Sequence, residues 1–223
     1  MPDTYDRVKL RLQTDCFVTK RFTVRRQRSA TKKTKKEKSM SELTPDEQKG
    51  LLTLARETLR LYLKNKSTPD LKKGQFKATP LLKQKWGVFV TLHKGKQLRG
   101  CIGAIIGQQP LFEGVIDNTI NAAVRDPRFL SMTLKEEPEV TIEISALSPL
   151  QKIAKAENII VGNHGVYLIK NGYSAVFLPQ VAPEQGWDRE TMLEHLCLKA
   201  GLDRDAWRKD TEFYVFTTQV FSE

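Results

Sequence analysis

The sequence predicts an α+β fold with a mixed, largely antiparallel sheet flanked by helices. Segments with helical periodicity alternate along the chain with segments in which every second residue is apolar, so both kinds of element supply the core. Asn171-Gly172 separates two β-prone runs, which is a strong signal for a two-residue hairpin. Because such a hairpin joins antiparallel strands, the pattern favours α+β over a doubly wound parallel sheet.

The first helix is predicted to begin at Thr44. Thr44 can cap it, Pro45 suits its first turn, and Glu47 completes a capping box. Apolar residues then recur at helical spacing as far as about Lys64. Residues 65–80, which contain two prolines and a glycine, are predicted to form a loop.

A hairpin and a second helix are predicted next. Residues 88–92 have the apolar alternation of a strand, and a turn at Lys94-Gly95-Lys96 returns the chain through a segment that ends near Ile106. Residues 110–125 keep one apolar helical face, and Asp126-Pro127-Arg128 ends that helix.

The last third of the chain is predicted to contain more strands than helices. Residues 140–146 alternate as a half-buried strand, and the Asn171-Gly172 hairpin follows. Asp188 is predicted to cap a helix that Gly201 ends. A single final strand is predicted from about residue 213 to residue 221.

The net charge of +11 is concentrated near the N-terminus. Residues 1–40 contain 13 Lys and Arg against 4 Asp and Glu, whereas residues 41–223 contain 24 against 22. The sequence therefore predicts a disordered basic extension over 1–40 and a nearly neutral folded domain over 41–223. The extension is either an electrostatic arm for nucleic acid or a dispensable stretch upstream of a true start at Met40, so nucleic-acid binding is expected through residues 1–40 only.

Composition excludes several classes of protein. Hydrophobic residues are 39% and charged residues 28% of the chain, which is ordinary for a globular protein, and neither a membrane span nor a signal peptide is evident. Three cysteines are too few for a disulfide scaffold, so a cytoplasmic location is expected. The sequence has no HExxH, P-loop or paired CxxC motif, and no cofactor or metal site is predicted.

The segment Leu98-Arg99-Gly100-Cys101-Ile102-Gly103 is the main candidate for chemistry. Cys101 lies between Gly100 and Gly103, and Arg99 precedes it by two residues. Arg99, Gly100 and Gly103 are candidates for substrate binding. A guanidinium near a thiol favours the thiolate, and it can also hold an anionic substrate group. The alternative is that Cys101 is a small core residue and that Gly100 and Gly103 serve packing.

Two further segments supply candidate residues. His164 lies in a glycine turn and is either a base or a hydrogen-bonded loop residue, and Glu143 is an acid or base candidate if its strand face lines a cleft. The loop 178–188 leads into a helix N-terminus. Gln180, Glu184 and Trp187 are its candidates for substrate binding, although Trp187 alternatively covers the core.

Three blocks of sequence together resemble the AMMECR domain family, named after the contiguous-deletion region for Alport syndrome, midface hypoplasia and elliptocytosis. The resemblance covers about residues 43–223, and Ala104 stands where the family has threonine. The blocks are LRGCIG at 98–103; AAVRDPRF at 122–129 followed by VTIEIS at 140–145; and LPQVAPEQGWD at 178–188 followed by CLKAGLDRDAW at 197–207.

The resemblance implies a larger mixed-sheet part, a smaller subdomain and a cleft between them, without an established activity. The residues themselves lead to the hypothesis of a cleft enzyme that uses Cys101 as a thiolate, with Arg99 stabilising charge, His164 or Glu143 moving the proton, and loop 179–187 as one wall. In prokaryotes the family is linked to Memo-type and radical S-adenosylmethionine proteins, which implies partners in a modification pathway. The alternative is a non-catalytic binding or scaffold module.

Overall fold

The computed structural model describes residues 42–71 and 76–223, and it confirms the α+β class. The helices are α1 (Pro45–Asn65), α2 (Leu111–Val124), α3 (Val181–Gln185) and α4 (Arg189–Lys199), with short 3₁₀ helices at Leu134–Glu139, Ala156–Asn158 and Ala206–Arg208. The strands are β1 (Gly87–Lys94), β2 (Gln97–Ala104), β3 (Val140–Leu147), β4 (Gln151–Ile153), β5 (Gly165–Lys170), β6 (Tyr173–Phe177), β7 (Glu212–Phe216) and β8 (Thr218–Ser222).

The described strands form two sheets rather than one mixed sheet. The first sheet has the order β2-β1-β3-β8 and the second has the order β4-β7-β5-β6. Every strand pair in the described residues is antiparallel, so the predicted mixed character is not found there. The short turns between β1 and β2 and between β5 and β6 allow only antiparallel pairing.

The predicted local signals fold as expected. The Glu47 amide donates to Thr44 Oγ1 at 3.3 Å and the Thr44 amide donates to Glu47 Oε2 at 2.9 Å, which is the capping box of α1. Asp188 caps α4 by accepting from the Thr191 amide at 2.8 Å. Asn171 and Gly172 both have positive φ, as a two-residue hairpin requires.

The prediction of one final strand is wrong. The run from Phe213 to Phe221 contains no Gly, Pro, Asn or Asp to mark a break, but β7 belongs to the second sheet and β8 to the first. The Ser148 amide donates to the Thr217 carbonyl oxygen at 2.9 Å, and the Thr217 amide donates to Ser148 Oγ at 3.0 Å. These bonds hold together the two places where the chain passes from one sheet to the other.

Each sheet buries one face under helices. The inner face of the first sheet, which carries Val88, Val90 and Leu92 of β1, packs in one apolar cluster with residues of α1 and α2. The second sheet packs in a separate cluster with α4, to which Leu193 and Leu196 contribute.

The outer faces of the two sheets meet at a small apolar cluster, here called the junction cluster. Its buried members are Phe89, Ile105, Leu147 and Phe216, and Leu150, Val176 and Leu178 pack against them. Phe89 and Leu147 lie on the outer face of the first sheet, whereas Phe216 and Val176 lie on the face of the second sheet that points away from α4. Residues beyond this cluster on either sheet are therefore placed to line one site.

Some expectations are not tested by these elements. The basic extension over residues 1–40, and nucleic-acid binding through it, lie outside the described residues. The division of residues 41–223 into two subdomains stays a prediction. No helix within residues 42–71 and 76–223 is long and apolar enough to cross a membrane.

Gly100 is predicted to be required for the contact between β2 and α2. A Cβ atom at Gly100 would overlap the Ala122 carbonyl oxygen, and a backbone atom cannot rotate away. We expect Gly100→Ala to lower the free energy of unfolding in urea by about 2–3 kcal/mol. Gly50→Ala is the matched control, because its Cβ has room inside α1 and should raise that free energy by about 0.5–1 kcal/mol. Equal stability of the two variants would contradict this packing role.

Candidate functional site

Cys101 is half-buried on the outer face of the first sheet. Thr91 lies opposite it on β1, and Thr91 Oγ1 donates a hydrogen bond to Cys101 Sγ at 3.3 Å. Glu143 on β3 is the other register partner of Thr91, and Ser222 on β8 is the partner of Glu143. The fold therefore brings these four side chains into one row across the sheet, here called the polar row.

The polar row lies beside the junction between the sheets. The neighbouring row on the same face contains Gly103, Phe89 and Ser145, and Phe89 belongs to the junction cluster. Residues two apart on a strand are separated by about 7 Å, so Cys101 is close to this junction. A Cβ at Gly103 would overlap the Phe89 ring, and packing thus accounts for this glycine as it does for Gly100.

The side chain of Asp126 fixes the backbone of Cys101. The Cys101 amide donates to Asp126 Oδ2 at 2.8 Å, while Arg128 Nη2 donates to the Cys101 carbonyl oxygen at 3.3 Å. Arg128 Nη2 also lies 2.7 Å from Asp126 Oδ2. Burial alone raises the pKa of Asp126, but hydrogen bonds from Arg128 and the Cys101 amide outweigh it and leave this pKa lowered. The carboxylate is therefore ionised at neutral pH.

Arg99 is engaged with the loop after α2. Its Nε donates to Glu136 Oε1 at 2.9 Å and its Nη2 donates to the Leu130 carbonyl oxygen at 3.0 Å. The hydrogen bond from Arg99 is the main cause that lowers the pKa of Glu136 to about 2. The guanidinium thus anchors this loop, and its predicted contact with substrate stays a prediction.

His164 is held within its own turn, just before β5 of the second sheet. Its Nδ1 accepts a hydrogen bond from the Ile160 amide at 3.2 Å. Burial lowers the pKa of His164 below its usual value, which favours the neutral imidazole. These contacts agree with a hydrogen-bonded loop residue, and proton transfer by His164 stays a prediction.

The loop 178–188 reaches the junction at one end only. Leu178 packs against the junction cluster, and Gln180 follows it, half-buried, at the start of α3. Glu184 is exposed. The Trp187 ring stacks on His195 with a centroid distance of 4.1 Å and packs with the second sheet's core. Trp187 therefore packs on the core, and its predicted contact with substrate stays a prediction.

In the described residues, neither a metal-binding cluster nor a groove beside α1 marks a second centre. Within residues 42–71 and 76–223, no three His, Cys, Asp or Glu side chains lie close enough together to hold a metal ion. A shallow groove of about 880 Å³ lies between α1 and the end of β8, and none of the predicted site residues lines it.

Sequence reasoning missed Thr91, Asp126, Arg128 and Glu136. Asp126-Pro127-Arg128 is identified from the sequence as a helix breaker and as part of the block at 122–129, without a predicted contact, because the amide that Asp126 binds is 25 residues earlier in the chain. Thr91 could have been found from strand alternation, since it faces opposite to Val90 and Leu92. Its partners on β2 and β3 depend on a register that no local signal specifies.

Comparisons with known proteins agree on one family. A family model described as AMMECR1 matches residues 52–221. A Methanosarcina mazei protein is 37% identical over 187 residues, covering 81% of this chain and 94% of its own length. A Methanopyrus kandleri protein is 41% identical over 191 residues, covering 81% and 90%. The crystal structure of the uncharacterized protein PH0010 from Pyrococcus horikoshii has a TM-score of 0.65 and 39% identity, covering 78% of this chain and 89% of that one.

Asp126→Asn is predicted to destabilise the chain by about 2 kcal/mol at pH 7, because it leaves Arg128 without its carboxylate. The folded-state pKa of Asp126 is lowered, so its stabilisation is complete above the ordinary carboxyl pKa of ~3.9 and is lost as the pH falls through the folded value. The difference between wild type and variant, measured by urea unfolding, should therefore shrink in acid. Asp117→Asn on the exposed face of α2 should change stability by less than about 0.5 kcal/mol. A difference independent of pH would rule out the ionised carboxylate as the cause.

Proposed function

The chain belongs to the AMMECR1 family, and on that premise we propose that it is a thiol-dependent enzyme whose nucleophile is Cys101. The observation that carries the proposal is the hydrogen bond between Thr91 Oγ1 and Cys101 Sγ on a polar strand face beside the junction of the two sheets. A hydroxyl hydrogen bond to sulfur stabilises a developing thiolate, which is the nucleophilic form.

The geometry suits covalent catalysis. The Cys101 backbone is fixed by Asp126 and Arg128, so the sulfur has a defined position, and its half exposure leaves it open to a substrate. Attack on an acyl carbon would form an S–C bond and break the bond to the leaving group. The thiol proton would pass to a base and then to the leaving group, and water would release the acyl group.

The remaining predicted residues have proposed roles around this centre. Glu143 is the proposed base because it shares the polar row with Cys101. Arg99 holds the loop that supplies Arg128, and we propose that it positions rather than binds. Gln180 is a proposed substrate contact from the start of α3, since Leu178 just before it packs at the junction. Memo-type and radical S-adenosylmethionine proteins, to which the family is linked in prokaryotes, would act with it in a modification pathway.

The expected result is selective alkylation of Cys101. We expect iodoacetamide to modify Cys101 at least about tenfold faster than Cys197 at pH 7. We also expect the midpoint of the pH–rate profile of Cys101 to lie well below the ~8.5 of a free thiol. Cys197 is the internal control, because it is fully buried and burial raises its pKa. Rates resolved for each cysteine by peptide mass spectrometry measure this. Cys101 as inert as Cys197 would refute the nucleophile.

A second candidate function, protein docking, is favoured by one surface feature. The Leu130 side chain is 89% exposed, although its carbonyl oxygen is fixed by Arg99. The neighbouring Met132 amide is held by the Ala123 carbonyl oxygen at 2.9 Å. The held backbone keeps this large apolar side chain in a defined position, from which it can enter a pocket on a partner. We propose a Memo-type protein as its partner.

Leu130→Glu is predicted to weaken binding of the purified Memo-type protein from the same organism by at least about tenfold, because the anchor becomes charged. Leu198→Glu is the matched control, since Leu198 is 46% exposed on α4 and should leave affinity unchanged. Isothermal titration calorimetry of each variant gives the comparison. The docking role fails if wild type does not bind, or if both variants bind alike.

A further inference from the structure

We infer that Thr91 relays a proton between Cys101 and Glu143, so that the polar row is a connected proton path. This inference rests on the proposed function of Cys101. Thr91 lies between Cys101 and Glu143 in the row and is the register partner of both. Its hydroxyl already contacts the sulfur at 3.3 Å.

The strand pairing explains why Thr91 can reach both neighbours. The Cys101 amide and carbonyl point away from β1, because they bond to Asp126 and Arg128. Thr91 and Cys101 are therefore a non-hydrogen-bonded pair, whose Cα atoms lie about 4.5 Å apart and whose side chains are closest. The backbone groups of Thr91 then point towards β3, which makes Thr91 and Glu143 a hydrogen-bonded pair with Cα atoms about 5.5 Å apart. The longer Glu143 side chain can span that distance.

Other groups are less suited to take the proton. The Arg99 guanidinium is held by Glu136, and the His164 Nδ1 is occupied by the Ile160 amide. His93 lies on the same face of the first sheet as Thr91, and Arg99 lies at the irregularity in the β1–β2 register, two residues before Cys101. Asp126 and Arg128 bind the backbone of Cys101 at the strand edge. Tyr167, Tyr214, Lys152 and Glu212 lie on the face of the second sheet that carries Phe216 of the junction cluster. Glu143 is the carboxylate in register with Thr91.

The relay transfers one proton from Cys101 to Glu143 and leaves the protonation state of Thr91 unchanged. As the sulfur attacks, the S–H proton passes to Thr91 Oγ1, and the hydroxyl proton of Thr91 passes to the Glu143 carboxylate. When the leaving group departs, Glu143 returns its proton to Thr91 Oγ1 and the hydroxyl proton of Thr91 passes to the leaving group, because the sulfur is then bonded to the acyl carbon. A hydroxyl both donates and accepts, so the 3.3 Å separation from sulfur serves either direction.

The test compares alkylation of Cys101 by iodoacetamide between pH 5.5 and 9 in full-length wild type, Thr91→Val, Thr91→Ser, Glu143→Gln and the double variant Thr91→Val/Glu143→Gln. We expect Thr91→Val and Glu143→Gln each to lose at least about tenfold in rate near pH 6.5, as removal of a general base does. Thr91→Ser should stay within about threefold of wild type because it keeps the hydroxyl. The double variant should match Thr91→Val, since Glu143 acts through Thr91.

A solvent isotope effect separates the relay from a merely structural role. The wild-type rate near pH 6.5 should fall about twofold in heavy water, and this effect should vanish in Thr91→Val and Glu143→Gln. Protection of Cys197 from the reagent reports that each variant is folded.

Several outcomes would overturn the relay. Faster alkylation in Glu143→Gln would show that Glu143 acts only as a like charge that disfavours the thiolate. A pH–rate profile in Thr91→Val that matches wild type would refute relay through Thr91 while leaving Cys101 as nucleophile. Additive losses of alkylation rate in the double variant would do the same. An inert Cys101 in wild type would instead refute the proposed function, and the relay with it.

Discussion

The candidate site depends on the hydrogen bonds that the buried carboxylate of Asp126 accepts. This carboxylate receives the amide of Cys101 and the guanidinium of Arg128, which in turn donates to the Cys101 carbonyl. The two side chains therefore occupy backbone groups that an edge strand would otherwise leave open to another chain. One ion pair thus fixes the position of the sulfur and blocks unwanted pairing at the edge of the first sheet.

This contact is possible only because α2 lies close to β2. Gly100 presents no Cβ to the Ala122 carbonyl, so the end of α2 packs closely on β2. Asp126, just after α2, is therefore within hydrogen-bond distance of the Cys101 amide. The glycine–cysteine motif therefore serves packing and chemistry at once. Its glycines allow close packing against Ala122 and Phe89, and its cysteine lies half-buried on the outer face of the first sheet.

The sequence predicted best those features whose partners are near in the chain. The capping box at Thr44 and the hairpin at Asn171-Gly172 are satisfied within a few residues, so local rules identify them. The same rules did not predict the change of sheet at Thr217, because the run from Phe213 to Phe221 contains no turn residue. The grouping of Cys101 with Thr91 was likewise missed, since cross-strand register is a property of the whole sheet.

The crossing at Thr217 has a consequence for how the chain acquires its structure. β8 pairs with β3, with Leu147 opposite Thr218, yet every strand of the second sheet is synthesised between them. A chain emerging from the ribosome therefore cannot complete the first sheet before the second has been made. Closing that long loop is slow, so the two sheets should mature in one late cooperative event rather than one after the other.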